Sequence, residues 1–236
     1  MRRMKDMEGY FISATDGIVG HVKDYYFDDE AWVIRYLVVQ TGVWIWSRKV
    51  LISPMAINQP DWSKRIIPAR ITREQVRNSP DIDTDKPVSR QYEEKYLQYY
   101  RYPHYWNGIG VWGAGTYPDP MQLGLGSGWS AEQYREAQAK RDQAETGRQP
   151  SEDPHLRSGN VVLRYGVHAT DGDIGHVQGI LIDEGSWSIH FLIVNTGSWW
   201  LGHEVIIAPE SIENVSWADS KVFVLDASGN PGLAAI

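Results

Sequence analysis

The phrase A-T-D-G-x-x-G-H-V occurs twice, as "ATDGIVGHV" at residues 14–22 and "ATDGDIGHV" at residues 169–177. Residue n of the first copy therefore corresponds to residue n + 155 of the second. The correspondence runs without a gap from Tyr10/Tyr165 to Trp62/Trp217. Within it, "WVIRYLVVQTGVW" (32–44) matches "WSIHFLIVNTGSW" (187–199), and "VLISPMAI" (50–57) matches "VIIAPESI" (205–212). A repeat this long is a duplicated domain rather than a solenoid unit of about 20–50 residues. Whatever fold one copy takes, the chain must accommodate it twice.

Each copy is patterned as short strands. Tyr10–Ala14 reads as a short strand, and "TDG" is a turn signal. Asp16 and Gly17, with Asp171 and Gly172, are the expected turn formers. Gly20 and Gly175 mark a bulge or a close backbone approach. "WVIRYLVVQT" is apolar on both faces apart from Arg35, as expected for a strand covered on two sides. "KVLIS" and "EVIIA" make a fourth strand, which Pro54 and Pro209 stop because proline cannot donate to a ladder. "KRIIPARI" and "KVFVLD" supply a fifth. Short strands without a long helix predict a small closed barrel, which leaves no open edge.

The run "ATDGxxGxVxDxYFDDxxWxIRYLVVxTGxW…RKVLISPxAI" resembles the PRC-barrel domain. The likeness is strongest over 10–78, including "TREQVRNSPDID", and more diverged over 161–226. That domain occurs in the cytoplasmic part of the photosynthetic reaction-centre H subunit and in a ribosome-maturation factor. The resemblance implies a mainly β protein of two small barrels used for protein contact and assembly, without catalysis. The H subunit's N-terminal membrane helix and the ribosome factor's other domain have no counterpart here. A peripheral subunit at a membrane surface and a ribosome-associated factor are the alternative roles it implies.

The boundaries drawn from the pattern are a first barrel at 8–80, a connector at 81–157 and a second barrel at 158–228. Thr72 and Gln75 fit a capping box, with Pro80 ending that helical stretch. "SRQYEEKYLQYY" (89–100) predicts one connector helix, with Tyr92, Tyr96 and Tyr99 on one face, and "SAEQYREAQAKRDQAE" (130–145) predicts another. Between them, 101–128 is Gly, Pro and aromatic. It spends Tyr102, Tyr105, Trp106, Trp112 and Tyr117 within a few turns of chain, and rings so dense must be covered by something.

Function classes narrow by exclusion. The chain has no cysteine, which removes disulfides and thiolate chemistry. Its net charge of -7 argues against a general nucleic-acid binder. No apolar run reaches the roughly 20 residues of a membrane span, and the N-terminus lacks an apolar signal core. The expected location is cytoplasmic, with membrane contact only peripheral. His21 and His176 recur, but neither has nearby partners beyond the turn aspartates, so a turn role outweighs a metal. Asp28–Asp29 and Asp183–Glu184 read as turns, since adjacent strand residues point to opposite faces. No nucleophile–base order or phosphate-cradling loop occurs. Lys64, Arg65, Arg70, Arg73 and Arg77 form a basic cluster, read as a solvated helix face, with an RNA or acidic-protein contact as the alternative.

Lys plus Arg against Asp plus Glu is 12 to 9 over 1–80 and 3 to 9 over 156–236, so opposite charges favour contact between copies or between chains. The expected partner is a protein, a homodimer being one form, with no cofactor. The candidate contact residues are the aromatic segment and the hairpin-tip tryptophans Trp44, Trp46, Trp199 and Trp200.

Overall fold

The computed structural model describes residues 1–42, 48–80, 82, 88, 90–107, 110–113, 115–118, 156–170, 172–196, 204–225 and 233–235. They are mainly β, arranged in two sheets. The first holds β2 (Phe11–Ala14), β3 (Gly17–Asp28), β4 (Val33–Thr41), β5 (Lys49–Ile52) and β6 (Ile66–Pro68) in the order β5-β4-β3-β2-β6. The second holds β8 (Gly166–Ala169), β9 (Gly172–Ile182), β10 (Ile189–Asn195), β11 (Glu204–Ile207), β12 (Ile212–Ser216), β13 (Lys221–Val224) and β14 (Leu233–Ala235) in the order β12-β13-β8-β9-β10-β11-β14. The connector helix at 89–100 is present as α2 (Arg90–Tyr100), and the capping box opens α1 (Arg73–Arg77). The helix expected at 130–145 lies outside the described residues.

Closed barrels were expected, but among the described residues neither sheet closes. The corners show why. After β5 and again after β11 the chain enters a 3-10 turn, Pro54–Ala56 and Pro209–Ser211. The proline has no N–H to offer a ladder, and the turn redirects the strand. In the first copy an isolated bridge, Ile57 to Ala69, spans the gap. In the second, β14 takes the edge of β11.

Two short N-terminal arms change places. β1 (Arg2–Arg3) pairs with β9 of the second sheet, Arg2 opposite Ile182. Its counterpart β7 (Leu156–Ser158) pairs with β3 of the first, Arg157 opposite Phe27. These registers are identical under the 155-residue offset. So are the ion pairs that fix them, Arg2 with Glu184 at 3.1 Å and Arg157 with Asp29 at 2.6 Å. The acidic turns therefore hold the exchanged arms. Ile34 N donates to the Trp187 carbonyl at 2.9 Å, and Ile189 N to that of Trp32 at 2.6 Å, around the bridge Val33 to Ser188. Both tryptophans adopt positive φ, 52° and 62°.

These contacts amount to an internal pseudo-two-fold axis, with corresponding residues meeting on it. Val33 meets Ser188. Met4, at the start of the 3-10 turn after β1, meets Gly159 at the start of α3 (Gly159–Val162), and a Cβ on Gly159 would come within 2.2 Å of Met4 Cε. A true two-fold would put like against like there. Duplication lets one side be large and the other absent. One buried core accordingly runs through both copies, taking in Met4, Met7, Val33 and Phe27 with Val162, Trp187, Ile189 and Leu192.

Candidate functional site

The connector is locked onto the first copy by a buried polar cluster. Arg35 on β4 is 3% exposed. Its Nε and Nη2 donate to Asp28 Oδ2 at 3.2 and 2.9 Å, and its Nη1 donates to the Val111 carbonyl. The guanidinium carbon lies 3.7 Å over the Tyr105 ring, and Trp112 stands further off at 5.1 Å. Asp28 is also bound by turn amides, accepting from Glu30 N and Ala31 N at 3.0 and 2.9 Å. Asp183 accepts from Gly185 N and Ser186 N in the corresponding way. Desolvation of this pair is offset by a full set of donors, acceptors and ring faces.

Beside it Glu93 of α2 is fully buried. Oε1 accepts from Tyr36 Oη at 3.2 Å and from Tyr105 Oη, and Oε2 accepts from Arg90 Nη1 at 3.3 Å. Burial raises this carboxyl to about 6, against the hydrogen bonds and the Arg90 charge that lower it. Trp112 Nε1 reaches the other copy, donating to the Ser186 carbonyl at 2.7 Å. Charges this deep, with the rings around them, make a structural clamp.

The described part of the aromatic segment therefore lies on its own chain. Tyr105 and Trp112 are buried, and Trp106 stacks on His104 with Arg90 4.1 Å above its ring. Tyr102 stacks on Tyr100. While this packing holds, Tyr105 and Trp112 present no ring to a partner. Tyr117 is 55% exposed and lies over Gly185. Trp44, Trp46, Trp199 and Trp200 lie outside the described residues, as does Asp171.

The turn residues are placed as follows. The hairpin loop is Thr15–Asp16, and Gly17 and Gly172 follow at φ 133° and 135°. A Cβ on Gly20 would fall 2.1 Å from the Gln40 carbonyl oxygen, and one on Gly175 1.9 Å from that of Asn195. Both are close backbone approaches beside a register shift in the β2–β3 and β8–β9 ladders. His21 packs edge-on against Phe11 at 6.4 Å.

The copies diverge on the face built by β2, β3 and β6. In the first copy Phe11 and Ile18 are each 49% exposed, with Ile66 and Pro68 opposite on β6. The corresponding residues are Gly166, Asp173, Lys221 and Phe223. There Asp173 Oδ1 binds His168 Nδ1 at 2.8 Å and Lys221 Nζ at 2.9 Å, which holds the Asp173 carboxyl below its usual range. One face is apolar and half bare, the other polar and internally paired. Ile18 also forms part of a cleft of about 290 Å³ with Thr41, Arg48, Arg73, Val76 and Arg77.

The sequence cluster of five basic residues divides accordingly. Lys64 pairs with Asp61 at 3.0 Å, Arg65 lies over Tyr10, and Arg70 donates to the Met55 carbonyl. Only Arg73 and Arg77 reach the cleft, where Arg48 from another element joins them. Among the described residues no group of three His, Asp or Glu could hold a metal, and no helix is long and apolar enough to cross a membrane. No family model matches the chain, and no curated protein matches it.

Proposed function

We propose that the chain is a non-enzymatic assembly module built on two PRC-type barrel copies, with a protein partner docking on the β2–β3–β6 face of the first. The observation that carries this is the divergence of that face. The copies share their β3–β4 register and the left-handed pairs Gly17/Gly172 and Trp32/Trp187, yet Phe11 and Ile18 stand where the second copy has Gly166 and Asp173. Large half-exposed apolar side chains cost solubility and contribute nothing to the core, which is how a docking surface differs from a stability feature. Catalysis finds no support in the buried clamp, whose titratable groups are spent on one another.

The partner tested first is another molecule of this chain. The first copy carries an excess of basic residues and the second an excess of acidic ones, which favours head-to-tail pairing. The variant Phe11→Ser/Ile18→Asp should fold with stability within about 0.5 kcal/mol of the parent, as expected for surface positions. Light scattering should show its mass falling from dimer to monomer. If the parent is monomeric, a photo-crosslinker at position 11 in the native host identifies a different protein, which the variant should not retain. A parent that neither self-associates nor crosslinks through this face rules the reading out.

A further inference from the structure

We propose that the cleft between the β2–β3 hairpin, the end of β4 and α1 is a binding site for a phosphate-type dianion on a small apolar body. This goes beyond the docking reading and does not depend on it. The cleft encloses about 290 Å³, at the small end for a ligand pocket, so it suits a single anionic group and a short stem.

Its cations come from two elements. Arg48, just before β5, is fixed: its Nη2 donates to the Val76 carbonyl at 2.6 Å, the Ser79 carbonyl at 3.3 Å and Ser79 Oγ at 3.0 Å. That ties the base of the cleft to the C-terminal end of α1. Arg73 and Arg77 stand one turn apart on α1, and neither side chain has a hydrogen bond or ion pair among the described residues. Arg73 is not free to roam, because its side chain lies along the Gly17 turn, with Cδ 3.5 Å from where a Cβ would sit. The Asp16 carboxylate, the closest acid in that turn, is engaged with the Arg73 backbone N–H at 2.8 Å. No carboxylate lines the cleft among the described residues.

The charge count selects the ligand. Two like charges at i and i+4 repel by about 0.2–0.5 kcal/mol, and a dianion between them reverses that sign. Guanidinium forks match the oxygens of a phosphoryl group in number and plane, which a single carboxylate does not exploit. Ile18, half exposed at the rim, and Val76, buried at the base, give an apolar stem something to lie on. In the second copy Asp173 stands where Ile18 does, and its negative charge would repel the same ligand.

The test is calorimetric titration of the full chain with phenyl phosphate, inorganic phosphate, sulfate and benzoate at about 0.1 M salt, where loose surface attraction is largely screened. Phenyl phosphate should bind saturably and more tightly than inorganic phosphate. Benzoate should bind at least ten-fold more weakly. Affinity for phenyl phosphate should fall below about pH 6, where the second phosphate proton returns, while that for sulfate should not. Arg73→Gln/Arg77→Gln, at exposed positions that leave folding intact, should weaken binding at least ten-fold. Lys64→Gln/Arg65→Gln, outside the cleft, should leave it unchanged. Absence of saturable binding, benzoate equal to phenyl phosphate, or equal losses in both double variants would each overturn the proposal.

Discussion

Arg35 and His190 hold corresponding places on β4 and β10, yet Arg35 is sealed beneath the connector and His190 is open to solvent. The neighbours diverge with them. Tyr36 is buried against Glu93 and Tyr96, whereas its counterpart Phe191 is only partly covered. The backbone beneath is the same in both: one ladder register, one turn carboxylate capping two amides, and one left-handed tryptophan at the crossing. Duplication here kept the parts that set strand geometry and released the outward faces. What the first copy does with its outer face is bind its own connector, and what it does with the β2–β3–β6 face is remain apolar.

The sharpest way to break this comparison is to remove the charge that only the first copy buries. Arg35→Leu leaves the Asp28 carboxylate buried with its turn amides but without its cation, and should cost about 3–5 kcal/mol in urea unfolding. His190→Leu, at an exposed place, should stay within about 0.5 kcal/mol. Equal effects would mean that the connector adds nothing to the first copy.

The converse experiment acts where the copies are alike. Gly20→Ala and Gly175→Ala each drive a Cβ into a carbonyl of the neighbouring strand. Backbone must move in both, at about 2–3 kcal/mol each, and Gly175→Ala should lose the more, because of the two only Gly175 holds a positive φ, 148°. A harmless Gly175→Ala would show that the second ladder is looser than its twin.

A third test uses pH. Glu93 is raised from 4.5 to about 6, so the folded state holds this proton more tightly than the unfolded chain. Its contribution is fully favourable below 4.5, declines as pH rises, and is lost above about 6. Across that window it amounts to about 2 kcal/mol. Arg90, Arg35, Tyr36 and Tyr105 all face it and oppose the shift only in part. Unfolding free energies of the parent and of Glu93→Gln at pH 4.5 and 7 should therefore diverge, with the parent losing relative stability at the higher pH. Asp24 and Asp29 are raised as well and remain in both proteins, so they cancel.

The strands were legible because their apolar alternation and turn residues are local. Thr72 and Gln75 marked a helix start for the same reason, and Gly20 and Gly175 marked close backbone approaches. Barrel closure was not legible, because it depends on whether a 3-10 corner at Pro54 or Pro209 lets two edges meet, a matter of angles that no residue type encodes. The arm exchange was hidden too. Arg2 and Arg157 correspond, but nothing in their spacing says that each pairs with the other copy's turn. The candidate cleft combines Arg48 with Arg73 and Arg77, a long-range meeting that only the fold creates. One usable signal was available: Phe11 and Ile18 are apolar where the repeat has Gly166 and Asp173, and a difference between duplicated copies on a solvent face points to specialisation.

The central claim is that the two copies form one unit, held by exchanged arms across an internal two-fold. The direct measurement is to insert a specific protease site between residues 145 and 150, cleave the folded protein, and follow mass and thermal unfolding. The halves should remain together at the mass of the uncleaved protein and melt in a single transition, which Arg35→Leu in the first half lowers for both. Halves that separate on a sizing column and melt independently would contradict it.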